Sequence, residues 1–405
     1  MNDSQRIYLD HAATTAVDPR VVEAMLPCYT TYWGNPSSVY REGQEARRVL
    51  DGARRQIATL LGAKPSEIVF TAGGSESDNH AIRGCAYASV SRGRHIVTTL
   101  IEHHAVLHTF ERLGHEGFEV TYLPVDGEGL VAPEQVAAAV RPDTTLVSVM
   151  YANNEVGTVQ PIGEIARAVK QRNPVTFVHT DAVQAAGALD VHVNHLGVDM
   201  LSLAAHKFYG PKGVGVLYLR SGTPFRAQLL GGSQESGRRA GTENIAGAVG
   251  LAKALELAYT EFDARNAHNR RLRDRLLQEI PRRVPRTHIN GPLDPARRIS
   301  NNASFCFEFI EGEALLLQLD LNGIAASSGS ACTSGSLEAS HVLQAMGVPI
   351  EIARSSLRLS VGVENSLEQI EQVLDVLPRF IERLRALSPL GPDTPRPDLV
   401  TAKQP

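Results

Sequence analysis

Short apolar runs alternate with amphipathic segments through the first part of the chain. Each run has the length of a β-strand, and the segments between them show helical periodicity, such as Ile162, Ile165 and Val169 on one face. Strand, helix and strand in succession indicate an α/β fold with buried, largely parallel strands. The runs that predict strands are EIVFT (67–71), HIVTT (95–99), FEVTYL (118–123), TLVSVM (145–150), VTFVHT (175–180), DMLSLAA (199–205) and GVGVLYL (213–219).

The pattern changes after about residue 245. A long amphipathic helix is predicted over roughly 245–279, and the later strands and helices follow a different rhythm that indicates a smaller α+β domain. These later elements are a strand in 302–309, a helix in 311–321, a strand in 355–362 and a final helix in 367–387. We expect a large domain over 16–260, a small domain built from 1–15 and 261–387, and a proline-rich disordered tail over 388–405.

Composition and charge exclude several classes of protein. The 405 residues are 43% hydrophobic and 21% charged, as in a folded protein with more than one core. The net charge of -4 comes from interspersed signs, so neither nucleic acid nor a membrane is expected as a direct partner. The first residues lack the pattern of a signal peptide and no apolar run has membrane-spanning length, so a cytoplasmic protein is expected.

The four cysteines lie far apart without C-x-x-C spacing, which argues against a zinc site or a disulfide framework. Cys28, Cys85 and Cys306 are expected to be small buried hydrophobes. Cys332 differs, because it lies among serines and glycines in SSGSACTSG (327–335), where nothing apolar could pack around its sulfur. The glycines on either side favour a mobile loop, and a reactive thiolate there would need activation from outside the loop.

Polar residues follow three of the predicted strands. Gly74 and Ser75 open a helix whose free amides suit a phosphate, although an ordinary serine-capped turn has the same pattern. Asp181 ends an apolar strand, where a protonated ring nitrogen or the amides of a helix start would satisfy its carboxylate. Lys207 follows another apolar strand, where partial desolvation favours the neutral amine that forms a Schiff base. Together these features match the needs of pyridoxal 5'-phosphate.

Two further strand ends carry candidate residues. His103 and His104 follow HIVTT, where an imidazole could stack on a planar cofactor and move protons, or could simply begin an exposed helix. Asn153 and Asn154 in NNEVG follow TLVSVM, where an amide could donate to a phenolic oxygen.

The order and spacing of nine motifs resemble the cysteine desulfurases of the class V, fold-type I aminotransferase superfamily. The resemblance runs from Tyr8 to about Leu387, and SSGSACTSG is similar to the branch with a long, mobile cysteine loop. It implies a pyridoxal phosphate enzyme with a large domain built on a mainly parallel seven-stranded sheet flanked by helices, plus a smaller α+β domain. The motifs are YLDHAATT, GNPSS, FTAGGSESDN, EHHAV, NNEVG, DAVQ, HKFYGPKG, RAGTEN and SSGSACTSG.

The resemblance also implies roles for individual residues. Lys207 would bind the cofactor covalently and move the substrate proton, Asp181 would pair with the ring nitrogen, and His103 would stack on the ring. Gln184 and Asn154 would bond near the phenolic oxygen. The phosphate would be bound by Gly74, Ser75 and His206, with Thr242 reaching over from a second subunit, and the substrate by Asn35, Asn154 and Arg358.

One position departs from the family pattern. Many relatives carry a phosphate-binding serine three residues before the lysine, where this chain has Ala204. That contact is therefore absent here or is made by another group.

The activity implied is conversion of L-cysteine to L-alanine, with the sulfur passing to Cys332 as a persulfide. Such an enzyme would be a homodimer that supplies an iron-sulfur scaffold protein, or another acceptor such as the tRNA thiolation machinery. No resident metal is implied, although Cys332 could transiently ligate an iron-sulfur cluster. The alternatives are a selenocysteine lyase or another class V enzyme, or an inactive scaffold for sulfur transfer.

Overall fold

The computed structural model describes residues 6–329 and 339–388, so that Cys332, Gly335 and the predicted tail beyond Ser388 lie outside the described residues. The strands are β1 (Ile7–Tyr8), β2 (Ile68–Thr71), β3 (His95–Thr99), β4 (Glu119–Leu123), β5 (Thr144–Ser148), β6 (Phe177–Asp181), β7 (Met200–Ala204), β8 (Gly215–Leu219), β9 (Thr287–Ile289), β10 (Asn302–Phe307), β11 (Ile324–Ala325) and β12 (Ser356–Ser360). The α-helices are α1 (Pro19–Met25), α2 (Pro27–Thr30), α3 (Arg41–Leu61), α4 (Gly74–Ala88), α5 (His104–His115), α6 (Pro133–Ala139), α7 (Ile162–Arg172), α8 (Val193–Leu196), α9 (Ile245–Thr260), α10 (Phe262–Arg283), α11 (Gly312–Leu321), α12 (His341–Ala345), α13 (Ile350–Ala353) and α14 (Leu367–Leu387).

All seven predicted strands of the first part form one sheet, in the order β2-β8-β7-β6-β5-β3-β4. The five strands from β7 to β4 pair in parallel, which confirms the mainly parallel α/β architecture. The prediction that β8 is parallel was wrong, because β8 is antiparallel to both β7 and β2. The link between β7 and β8, residues 205–214, holds only a 3-10 turn and is too short for a crossover helix.

The sheet is covered by helices on both faces, as its continuous apolar runs predict. Val97 and Leu201 point to one face and pack in a core with residues of α3, α6, α7 and α9. Their chain neighbours Ile96 and Met200 point to the other face and pack with α4 and α5. The alternation of side chains along each strand therefore fills two separate cores.

A second, antiparallel sheet has the order β12-β10-β9. Its core includes Phe305, Leu359 and residues of α10, α11 and α14. The start of the chain joins this core, since β1 pairs in parallel with β11 and Leu9 is fully buried there.

The predicted single helix over 245–279 is two helices, so that prediction was wrong in detail. The chain breaks at Glu261, between α9 and α10. The Glu261 carboxylate accepts hydrogen bonds from Arg20 and Arg265 at this break. The helical pattern of the sequence continues across the break, so periodicity alone does not predict it.

Within the described ranges, no helix combines the length and the apolar character needed to cross a membrane.

Replacing Phe305 by alanine tests the second core. Phe305 is fully buried, so we expect Phe305→Ala to lower the free energy of unfolding by about 3–5 kcal/mol. Urea denaturation followed by circular dichroism measures this change. Leu317→Ala is the matched control, because Leu317 is 59% exposed and its truncation should change stability by no more than about 0.5 kcal/mol. Equal effects of the two substitutions would contradict the assignment of Phe305 to the core.

Candidate active site

Lys207, Asp181 and His103 come together where the strands of the large sheet end. Asp181 is the last residue of β6, and Lys207 follows β7 in the 3-10 turn Ala205–Lys207. His103 follows β3 and is the N-cap of α5, where its Nδ1 accepts a hydrogen bond from the Ala105 amide at 3.1 Å. Because these strands run in the same direction, their carboxyl ends share one edge of the sheet.

Burial and the Lys207 charge set the protonation of the neighbouring groups. Burial raises the pKa of Asp181 to about 6, although the Val183 amide and Lys207 oppose this rise. Burial, followed by Lys207, lowers the pKa of His103 to about 4. At neutral pH Asp181 is therefore ionised and His103 is uncharged, and Lys207 lies near enough to influence both.

A layer of buried polar groups supports Asp181 from within the fold. The ring of His179 lies between Ser148 and Ser202, with hydrogen bonds of 2.8 and 3.0 Å, and burial lowers its pKa to about 3. Asp78 on α4 approaches the same ring, and burial, then Asp181, raises its pKa well above the usual range. Asp78 thus favours its neutral form, which leaves Asp181 as the carboxylate that carries charge.

A cavity of about 520 Å³ opens beside the start of α4. The amides of the first helical turn have no partner within the helix, and they face this space with a partial positive charge. An added Cβ on Gly74 would lie 2.8 Å from Val183 Cγ2, so only glycine fits this approach. The cavity is lined by Thr14, Ala72, Gly73, Gly74, Ser75, Glu76, His206, Lys212 and Gly213.

The donors around this cavity suit the phosphate of pyridoxal phosphate. His206 bonds Thr14 Oγ1 through Nδ1 at 3.2 Å, and burial, then Lys207 and Lys212, lowers its pKa to about 4. Its neutral ring and the Lys212 ammonium join the helix amides as groups that an anion would meet. The Ala204 side chain is buried against this start of α4, 3.4 Å from the position that a Gly74 Cβ would take.

The segment from Asp10 to Thr15, which we call the strap, contacts both Lys207 and His206. Lys207 Nζ donates to the backbone oxygens of Ala12 at 2.7 Å and Ala13 at 2.8 Å. The Thr15 amide donates to His206 O at 2.9 Å. The motif YLDHAATT supplies this segment, and nothing in its spacing along the sequence places it beside Lys207.

Gln184 also contacts the strap, since its Nε2 donates to Ala12 O at 2.9 Å. Its expected contact with the cofactor's phenolic oxygen stays a prediction.

Arg358 reaches the site from β12 of the second sheet, and its side chain is only 4% exposed. Its Nη1 donates to the backbone oxygen of Asn154 at 2.9 Å, and its Nη2 donates to Asp10 Oδ1 at 2.7 Å. The Nε atom is buried and has no hydrogen-bond partner among the described residues. The structure thus brings together Arg358 and Asn154, which were both predicted to bind the substrate. It adds Asp10, which the sequence did not indicate.

Both ends of the undescribed segment 330–338 lie beside Glu155. Ser340 Oγ donates to Glu155 Oε2, and an added Cβ on Gly329 would lie 3.1 Å from the same oxygen. Ser327 also pairs with Arg358 through backbone hydrogen bonds. The chain that carries Cys332 therefore leaves and re-enters the described structure next to the Arg358 site. Burial raises the pKa of Glu155, which is the glutamate of the NNEVG motif.

Two predicted residues lie on exposed loops. Asn35 follows α2, and its Oδ1 accepts a hydrogen bond from the Ser37 amide at 2.9 Å. Thr242 precedes α9 and is exposed. Their expected roles toward substrate and phosphate stay predictions.

Comparison with known proteins agrees with this geometry. The family model described as aminotransferase class-V matches residues 7–373. The chain is 51% identical to a cysteine desulfurase IscS from Clostridium botulinum (strain Hall), over 96% of this chain and 98% of the relative. It is 52% identical to the cysteine desulfurase IscS of Methanosarcina thermophila, over 96% and 95%.

A solved structure of a NifS-like protein superimposes with a TM-score of 0.88 at 41% identity, covering 94% of this chain and all of that one. Because these matches span nearly the whole chain at high identity, the chain belongs to the class-V aminotransferase family and, within it, to the pyridoxal-phosphate-dependent cysteine desulfurases.

Proposed function

We propose that this protein removes the sulfur of L-cysteine, releases L-alanine and carries the sulfur on Cys332 as a persulfide. The single observation that supports this most is the convergence of Lys207, Asp181 and His103 at one sheet edge, with Arg358 of the second sheet bonded to the strap that also contacts Lys207. The segment that carries Cys332 is flanked by Ser327, which pairs with Arg358, and by Ser340, which donates to Glu155.

The residues present fit pyridoxal phosphate. Lys207 would hold the cofactor covalently, the Asp181 carboxylate would hold a proton on its ring nitrogen, and the neutral ring of His103 would lie against the ring face. Gly74, Ser75 and His206 would bind its phosphate. When bound, pyridoxal phosphate supplies the electron withdrawal that weakens the bonds at the substrate Cα and, beyond it, the bond to sulfur.

The chain's own residues then have distinct tasks. Arg358 binds the substrate carboxylate and orients the Cα–H bond toward Lys207. The Lys207 amine removes the proton from Cα. The Cys332 thiolate forms a bond to the substrate sulfur while the C–S bond breaks, so Cys332 gains a persulfide and the remaining carbon skeleton leaves as L-alanine after protonation.

Histidines beside the loop stem could provide the base that Cys332 requires. His341 begins α12, directly after Ser340, and its ring lies 4.6 Å from that of His104 between centroids. Burial lowers the pKa of both rings, so both are neutral at pH 7 and can accept a thiol proton. We infer that the thiolate forms by proton transfer to a neutral imidazole, since the loop sequence has no cation of its own.

We further propose a homodimer, with Thr242 completing the phosphate site of the other subunit. Thr242 is exposed, and exposed aromatic and aliphatic side chains lie on α2, on the loop after it and on the loop before Thr242: Tyr29, Trp33 and Leu230. The exposure of these large apolar side chains supports the proposal of a subunit interface.

The remaining proposals concern organisation and partners. The two sheets with separate cores support a large domain over 16–260 and a small one from 1–15 and 261–387. We also propose a cytoplasmic location, with an iron-sulfur scaffold protein or another sulfur acceptor as the partner.

Replacing Cys332 by serine tests the sulfur carrier. Cys332→Ser should abolish the formation of sulfide and L-alanine from L-cysteine in the presence of a reductant, because a hydroxyl cannot accept the sulfur. The absorbance of bound cofactor should persist. Cys28→Ala is the control that should keep full activity, since Cys28 is buried in a separate small core. Desulfuration by the Cys332→Ser protein would falsify the assignment.

The pKa of Asp181 predicts how cofactor binding depends on pH. Because its pKa is raised to about 6, Asp181 takes up a proton as the pH falls through that value. Asp181 must lose this proton before its carboxylate can pair with the ring nitrogen of the cofactor. The affinity of the apoprotein for pyridoxal phosphate should therefore fall about tenfold between pH 7 and pH 5. Titration followed by absorbance measures it, with Asp181→Asn as the variant in which this dependence should be lost. A slope equal in both proteins would contradict the role of Asp181.

Restoring the family's serine at position 204 tests the phosphate site. Ala204 is buried beside Gly74, so the hydroxyl in Ala204→Ser can reach the phosphate and should tighten cofactor binding by about tenfold, the value of one hydrogen bond to a charged group. The dissociation constant of pyridoxal phosphate is the measurement, and thermal unfolding of the apoprotein checks that packing is unchanged. No gain in affinity with unchanged stability would count against this contact.

A further inference from the structure

On one edge of the Arg358 guanidinium, only one of the two N–H donors has a hydrogen-bond partner among the described residues. Nη2 donates to Asp10 Oδ1, whereas Nε is buried and unpartnered among the described residues. Nε and Nη2 point the same way from the planar group and match the two oxygens of one carboxylate. A buried donor without a partner is costly, so its presence points to a ligand that supplies the missing acceptor.

Asp10 occupies this edge through one oxygen only. Its side chain is 19% exposed, against 4% for Arg358, so Asp10 lies on the solvent side of the pair. The backbone of Asp10 is bridged to Ser360 of β12, and Arg358 lies in β12 between Ser304 of β10 and the backbone of Ser327. The more exposed Asp10 side chain can therefore turn away by rotation about its own bonds while this backbone pairing is kept.

A second buried carboxylate near Arg358 does not take its place. The Arg358 charge also acts on Glu155, but Glu155 Oε2 accepts the hydroxyl of Ser340, and the guanidinium donates to Asn154 O and Asp10 Oδ1 instead. Asp10 also acts on Tyr8 and His11, and neither of these groups has a negative charge at neutral pH. Asp10 thus provides the negative charge opposite Arg358.

We propose that Asp10 is an internal counter-ion that occupies Nη2 of Arg358 until the α-carboxylate of the amino-acid substrate takes the Nε–Nη2 edge. This inference rests on the proposed function, and it assigns to Asp10 the setting of affinity for α-carboxylate ligands.

Two opposite effects of Asp10 follow from this exchange. In the free site its charge stabilises a guanidinium that is otherwise buried without an anion. During binding the same charge repels the incoming carboxylate and competes for Nη2, so the observed affinity is lower than that of an unopposed arginine. The chain therefore gives up substrate affinity for a stable free site.

A matched pair of ligands separates this role from a structural one. L-alanine and ethylamine differ by the carboxylate, and binding of each to the holoenzyme can be followed through the absorbance of the bound cofactor. Asp10→Asn retains an oxygen that accepts from Nη2 but removes the charge. In Asp10→Asn the dissociation constant of L-alanine should fall about tenfold. The dissociation constant of ethylamine should stay within about twofold of its value for the unchanged protein.

Glu23→Gln is the control, because it removes the same charge from an exposed position on α1 and should change neither constant. If Asp10→Asn does not fold, as judged by thermal unfolding, Asp10→Ser is measured against the same criteria. Unchanged or weaker L-alanine binding in the folded variant would overturn the exchange. A wild-type holoenzyme that binds ethylamine but not L-alanine, and forms no alanine from L-cysteine, would instead overturn the proposed function and the inference with it.

Discussion

The common direction of the strands in the large sheet determines where Lys207, Asp181 and His103 can lie. β7, β6, β5 and β3 are parallel, so their carboxyl ends open at one edge while their apolar lengths are buried on both faces. A lysine, an aspartate and a histidine placed just beyond these ends are forced together in a partly desolvated space. The antiparallel β8 keeps β2 in the same direction, so that the start of α4 faces the same space.

Burial then decides which of these groups carry charge. His103, His206 and His179 are held neutral, and Asp78 is held in its protonated form, whereas Asp181 stays near enough to Lys207 to ionise at neutral pH. Among these groups Asp181 thus carries a negative charge beside the Lys207 amine.

The strap and the second sheet close the site from segments that are remote in sequence. The backbone oxygens of Ala12 and Ala13 accept hydrogen bonds from the Lys207 amine, and Asp10 accepts one from Arg358. Glu155 lies beside both ends of the undescribed segment that carries Cys332. Arg358 and Lys207 therefore contact the same short strap, one through Asp10 and the other through Ala12 and Ala13.

The sequence by itself determined the strands, the mainly parallel sheet, the positions of Lys207, Asp181 and His103 at strand ends, and the family, because apolar periodicity and motif order are local properties of the chain. It did not predict the antiparallel β8, which a short link joins to β7, or the break at Glu261, whose carboxylate bonds Arg20 far away in sequence and Arg265 four residues on. The contacts of Asp10, Ala12, Glu155 and Asp78 were decided only by the tertiary structure. Each depends on a residue far away in sequence, and the free energy of such a contact arises only when folding buries the two partners together.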